Sequence, residues 1–458
     1  MNIINPATED IIATVVDDTT ATVVAKYEVL RNGQQLWAKV PLKERVQVLI
    51  RFGQLLLEAL DELANVLTSE TGKPLQQAKN EIKGASSRIS WLTAHAETYL
   101  QDELMREDKD ARLKEVISYE PLGIIGNISA WNYPYLVGVN VFVPALIAGN
   151  AVLYKPSEYA TNTGLQIERL LLAAGLPSAT FQVAIGGGQI GKALLELPLD
   201  GYFFTGSYRT GKYIYEQVAT KMVPCQLELG GKDPLYITDD LRDIQGVAEA
   251  TADGAFYNNG QSCCSVERIY VHKNVYETYL EAFVKQVKSW KIGLPTEEGV
   301  YFGPLTRREQ RQLLEEQVAD ALAKGATILT GGNAITGKGY FFEPTVLIDV
   351  THDMRVMQEE SFGPIIGIMK VANDAEALAL MQDTAYGLTA GIYADTPTRA
   401  IGLLKQLNVG SGYWNCCDRV SAALPWSGRQ HSGLGATLSH QGLRAFTKPK
   451  AWHLVGNS

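Results

Sequence analysis

Histidine and cysteine are scarce in this chain, at six and five residues in 458. Four of the cysteines stand in adjacent pairs, Cys263-Cys264 and Cys416-Cys417, which is neither a disulfide framework nor a zinc-ligand spacing. A reduced, cytoplasmic setting with no metal site is therefore expected. Basic residues are outnumbered, 41 against 50 acidic ones, and form no cluster. Nucleic acid and anionic membrane are excluded as main partners, because the net charge of -9 repels them. The first residues carry no basic segment followed by an apolar core, so no secretory signal is expected. Charge is missing altogether from Leu122 to Tyr154, a length that could span a bilayer. Asn127, Asn132, Asn140, Asn150, Pro134 and Pro144 interrupt that stretch, and two buried elements joined by a loop are expected instead.

What is present is an ordinary globular composition, 46% hydrophobic and 20% charged, long enough for two or three domains. Residues 22 to 66 carry apolar positions at helical spacing (Leu49, Phe52, Leu56, Leu60), and a second helix follows from "TGKPLQQAKN". From "LKEVISYE" onward, strands such as "NAVLYKPS", "TFQVAIGG" and "DGYFFTGS" alternate with helices. That alternation predicts parallel βαβ units and a doubly wound α/β sheet. It resumes after "CQLELGGKDPLYIT", which predicts a second α/β domain over about 231–430.

Five short stretches carry chemistry. Gly186, Gly188 and Gly191 satisfy G-x-G-x-x-G between a strand and a helix, but no acidic residue follows at the usual distance, since Asp200 comes too early. A second glycine turn, "FTGSYRTG", makes a nucleotide site more credible than either turn alone, because helix N-termini offer free N–H groups to a pyrophosphate. "YKPSE" places Lys155, Ser157 and Glu158 at a strand end, where the lysine and the glutamate could hold ribose hydroxyls or simply face solvent. "LELGGK" sets Glu228 between leucines, where burial would raise its pKa toward the range useful to a general base. "FYNNGQSCC" places two thiols beside a flexible glycine, either as small core residues or as a nucleophile.

Taken in order, "SAWNYP", "KPSE", "FTGS", "LELGGKDP", "FYNNGQSCC", "EESFGPI" and "SGLGATLSHQGLRAF" resemble the aldehyde dehydrogenase superfamily over nearly the whole chain. The resemblance implies two doubly wound domains and a strand arm. The NAD-binding domain would cover 1–102 and 122–230, the catalytic domain 231–430, and the oligomerisation arm 103–121 and 437–458. It implies that Cys263 is the nucleophile and Cys264 a neighbour, that Asn132 and the Cys263 N–H hold the oxyanion, and that Glu228 activates water against a thioester. Trp131, Lys155, Ser157, Glu158, Gly188, Gly206, Ser207, Glu360 and Phe362 would contact the cofactor. NAD is preferred over NADP, since Glu158 would repel a 2′-phosphate. The expected product is a free carboxylic acid. A coenzyme A-acylating enzyme is the nearer rival, although such members generally lack the glutamate found here, and a non-catalytic protein reusing the fold is the other. A homodimer or homotetramer is expected.

For substrate, relatives that act on succinic semialdehyde carry two arginines at positions that here are Asn140 and Tyr257. A tunnel of Tyr135, Asn140, Tyr257 and Trp414 is therefore expected to be neutral and aromatic. It would suit an apolar or a cationic aldehyde rather than a short dicarboxylic semialdehyde.

Overall fold

The computed structural model describes residues 1–456. The run expected as one helix over 22–66 is three: Thr20–Trp37, Leu42–Glu58 and Leu60–Thr71. The breaks have local causes. Pro41 precedes the second helix with an extended ψ of 142°, Ala59 leaves helical geometry at ψ 16°, and Gly72 closes the third in the left-handed region at φ 77°. Leu49, Phe52 and Leu56 then share one helical face and are fully buried in the first core.

The charge-free stretch forms three elements where two were expected: strand Ile124–Ile128, helix Pro134–Ala148 and strand Ala151–Lys155. The helix is buried on nearly every face, which is why it carries no polar stripe. At 15 residues it is a core helix, and no helix among the described residues is long and apolar enough to cross a membrane.

The first sheet runs Gly433–Leu434, Cys225–Glu228, Gly201–Thr205, Ile124–Ile128, Ala151–Lys155, Phe181–Val183, parallel except at its first pair. The second runs Thr327–Thr330, Thr345–Ile348, Ile365–Val371, Val266–His272, Asp233–Ile237, Thr389–Tyr393, Ser411–Trp414, again antiparallel only at its first pair. Both are doubly wound α/β sheets as expected, each with its own apolar clusters.

A third sheet is antiparallel, with Thr447–Val455 pairing to Leu113–Pro121 along its whole length and Glu103–Asp108 outside it. The segment 437–458 expected as arm is only partly strand. Ser439–Arg444 is a helix whose Leu443, with Phe446 just beyond, enters the first apolar core, and the strand starts at Thr447. Residues 457 and 458 of the expected arm lie outside the described residues.

Candidate active site

Four consecutive connections leave the C-terminal ends of neighbouring parallel strands in the first sheet, where open α/β sheets bind ligands. They carry Trp131 and Asn132 after Ile124–Ile128, Lys155 and Glu158 at the end of Ala151–Lys155, Gly206 and Ser207 after Gly201–Thr205, and Glu228 at the end of Cys225–Glu228. Trp131, Asn132, Gly206, Ser207, Glu228, Glu360 and Phe362 line one cavity of about 180 Å³ together with Cys263. Ser207 caps the helix Tyr208–Val218, its hydroxyl accepting from Thr210 N, and Gly206 N donates to the Glu228 carbonyl at 3.0 Å.

Lys155, Ser157, Glu158 and Gly188 lie outside this cavity, on the next strand and turn. Lys155 is buried and its ammonium stands 3.9 Å from the half-exposed Glu158 carboxylate. Burial lowers the Lys155 pKa, with Glu158 opposing. Gly188 opens the helix Gly188–Glu196 with free space before it, and a Cβ on Gly191 would come within 3.9 Å of the Lys155 stem. The glycine turn and the lysine stem therefore stand side by side at the ends of neighbouring strands.

Cys263 is positioned by an unusual turn. Asn258, Asn259 and Gly260 take successive left-handed φ values of 55°, 58° and 67°. Asparagine and glycine tolerate that region, and a Cβ at Gly260 would also stand 2.4 Å from the Gly363 carbonyl. Side-chain amides lock the turn: Asn259 donates to the carbonyls of Gly303 and Pro304, and Asn258 to those of Gln261 and Asn132. Asn132 Nδ2 in turn donates to the Gln261 carbonyl at 3.2 Å, which brings the expected oxyanion donor against the nucleophile loop.

The two thiols differ. Cys263 is half-buried and reaches both the first cavity and a second one of about 370 Å³. Cys264 is buried among Leu388, Trp426 and Leu438, and donates to Asp418 Oδ1 at 3.0 Å. The hydrogen bond with Cys263, together with burial, holds the Cys264 thiol well above the ordinary range, so it stays protonated.

Glu228 is buried. Its Oε1 accepts from Thr437 Oγ1 at 3.1 Å and Gln226 Nε2 at 3.3 Å, whereas Oε2 has no protein partner. Burial pushes its pKa up to about 8, against the lowering by those two hydrogen bonds. An unpaired carboxylate oxygen with that pKa is suited to take a proton from water near neutral pH.

Several positioning residues escaped sequence reading. Lys232 pairs with Glu267 at 2.7 Å in the interior, and Glu267 also accepts from the backbone N–H groups of Ser361 and Phe362. This pair holds Phe362 at φ 47°, edge-on to Trp131 with ring centres 5.5 Å apart. Breaking such a buried pair typically costs about 3–5 kcal/mol. Glu360 Oε1 accepts from Gly231 N, and a Cβ on Gly230 would fall 2.2 Å from that oxygen, so the glycine pair is needed for close approach. Burial raises the Glu360 carboxyl to about 8. On the other side, Lys73 pairs with Glu81 and donates to the Asn132 carbonyl at 2.7 Å. Lysine next to "TG" in a helix approach was the only sequence signal for it.

The second cavity departs from the expected tunnel. Asn140 and Tyr257 line it. Tyr135 does not: it is fully buried in the first core, because the helix that starts at Pro134 turns Leu136, Val137 and Asn140 toward the cavity and residue 135 away. Tyr133, just before the helix, is the tyrosine at the wall. Trp414 is also displaced. It is 41% exposed on the edge strand and donates its indole N–H to the Ala394 carbonyl, while Trp426 takes the place in the wall. Nor is the cavity neutral, since Arg88, Asp253, Asp418 and Arg419 line it.

Comparison with known proteins agrees with this geometry. Residues 1–452 match the Aldehyde dehydrogenase family. Peroxisomal aminoaldehyde dehydrogenase 1 of Malus domestica is 35% identical over 451 residues, which is 96% of this chain and 90% of that protein. A succinate-semialdehyde dehydrogenase [NADP(+)] of Deinococcus radiodurans is 32% identical over 448 residues, covering 98% of this chain and 93% of the relative. The crystal structure of an aldehyde dehydrogenase from Brucella melitensis biovar abortus 2308 superposes with a TM-score of 0.96 at 30% identity, over 100% of this chain and 94% of that one. A half-buried cysteine between two cavities, on this pair of sheets, thus has its explanation in descent: the chain belongs to the aldehyde dehydrogenase family of oxidoreductases.

Proposed function

We propose that the protein oxidises an aldehyde to the free carboxylic acid through a thioester on Cys263, with NAD as the preferred hydride acceptor. One observation carries this reading: among the described residues, Cys263 is the one shared by both cavities, so an aldehyde entering from one side meets the thiol within reach of a ligand held on the other. The Cys263 thiolate adds to the carbonyl carbon. Asn132 Nδ2 and the Cys263 N–H stabilise the oxyanion so formed, a stronger acceptor than the Gln261 carbonyl that now holds the amide. A bound nicotinamide dinucleotide supplies the acceptor for the hydride. Glu228 then takes a proton from water as its oxygen attacks the thioester carbon, which releases the acid and returns the thiolate.

The residues fit such a cofactor. The first turn of the helix capped by Ser207 offers backbone donors, Phe362 and Trp131 offer an apolar wall, and Glu158 and Lys155 stand at the neighbouring strand end. The half-exposed Glu158 carboxylate supports NAD over NADP. Retention of Glu228 supports water rather than coenzyme A as acyl acceptor. Five free cysteines support a reducing, cytoplasmic setting. The third sheet, with Leu104, Met105, Leu454 and Val455 exposed, supports assembly into a homodimer or homotetramer. The test is NADH formation from aldehydes by the purified protein without coenzyme A, beside parallel assays with NADP. Turnover that required coenzyme A would overturn the hydrolytic reading.

A further inference from the structure

Arg88 lies on the helix Leu75–Leu100 and lines the substrate-side cavity. Its Nη1 donates to Asn140 Oδ1 at 2.9 Å and to the Leu136 carbonyl at 3.4 Å. Among the described residues, its Nε and Nη2 make no hydrogen bond and no carboxylate forms an ion pair with it. Burial lowers its pKa to about 10, with Cys264 and Cys263 acting the other way, so it stays a cation at neutral pH. A half-buried guanidinium whose idle edge of donors faces a cavity gains from a ligand that accepts from it. That edge matches a carboxylate, which accepts two parallel N–H bonds.

The acids in the same cavity are already engaged. Asp253 accepts from the Tyr301 hydroxyl at 2.7 Å, and Asp418 accepts from Ser262 and Cys264. Burial raises the Asp418 carboxyl toward its neutral form. The unmet demand in the cavity is therefore for an anion. The charge missing at 140 and 257 enters from another helix, and Asn140 serves to orient it.

Resting on the proposed aldehyde oxidation, we propose that Arg88 is a carboxylate seat and that the substrate is a short ω-oxo carboxylic acid. The cavity, about 370 Å³, is at the small end for ligand sites and suits a chain of a few carbons.

The test compares kcat/KM for succinic and glutaric semialdehydes with butanal, pentanal and 4-aminobutanal. The semialdehydes are expected to lead by roughly thirtyfold or more, as for a charge pair formed in a desolvated site. Arg88→Met should abolish that lead by raising KM for the semialdehydes alone, and Arg88→Lys should restore part of it. Calorimetry of glutarate binding to wild type and Arg88→Met reads the seat without catalysis, and binding that survives the substitution overturns the proposal. So does a wild type that prefers 4-aminobutanal or the alkanals. If Arg88→Met slows every aldehyde alike and slows alkylation of Cys263 by iodoacetamide, the residue acts on the thiol and the seat is wrong. Failure of all aldehydes to turn over, with glutarate bound in an Arg88-dependent way, would instead sink the parent oxidation reading and leave the seat standing.

Discussion

The two cavities that meet at Cys263 are built in different ways. On the cofactor side, the wall comes largely from turns at the ends of adjacent parallel strands, so sheet topology alone delivers Trp131, Asn132, Gly206, Ser207 and Glu228 to one place. On the substrate side, the wall comes from side chains of the helices Leu75–Leu100 and Pro134–Ala148 and of a loop near residue 420. There, helix phase and packing decide which residue faces inward. The first kind of wall is carried by short motifs. The second is free to change its charge without changing its motifs.

The largest expected effect is at the shared point. Cys263→Ala should lower NADH formation by about a thousandfold or more, as when a covalent nucleophile is removed. Cys264→Ala should leave it within a few-fold, and the reverse outcome would undo the assignment of both thiols.

Next comes the cofactor-side wall. Glu228→Gln should cut steady-state turnover by about a hundredfold or more. A first-turnover burst of NADH should survive in rapid mixing, because thioester formation does not need the base. Loss of the burst as well would place Glu228 before the thioester.

The pH profile is the third test. Glu228 works deprotonated and its pKa is raised to about 8, so the hydrolytic rate should climb as pH rises through about 8 and fall below it. Thr437→Val removes a hydrogen bond that lowers this pKa and should move the midpoint upward. A flat profile from pH 6 to 9 under conditions where hydrolysis limits turnover would show that the carboxylate is not the base.

The smallest effects sharpen the substrate side. Trp426→Phe should raise KM several-fold, whereas Trp414→Phe should leave it unchanged, since only the former lines the cavity. Equal effects would restore the tunnel expected from sequence.

What was legible in the sequence follows the same division. The alternation of strands and helices and the residues at strand ends are local, so both sheets and the cofactor-side cavity could be read along the chain. Tyr135 and Trp414 were misplaced by phase. Tyr133 and Tyr135 are two positions apart, which near the start of a helix is about half a turn, and on the edge strand a single step exchanges Trp414 for Tyr413. Tyr413, on that strand, donates its hydroxyl to the Arg419 carbonyl in the loop that carries Asp418. Arg88 left little mark, because its meeting with Asn140 depends on two helices packing together. The faint signal was Asn80, Gly84 and Arg88 on one helical face, with Asn80 reaching the Tyr257 hydroxyl.

The hydrogen bond between Thr437 and Glu228 joins residues 209 positions apart, and Gly433–Leu434 closes the edge of the strand that carries Glu228. During synthesis, the second sheet, the loop that carries Cys263 and every strand of the first sheet except Gly433–Leu434 emerge before residue 433. A nascent chain could therefore fold its two domains and bind a cofactor while its base still lacked its hydroxyl partner and the strand beside it. Competence to release product would come after competence to form the thioester, so a ribosome-held intermediate would be acylated more readily than it could turn over.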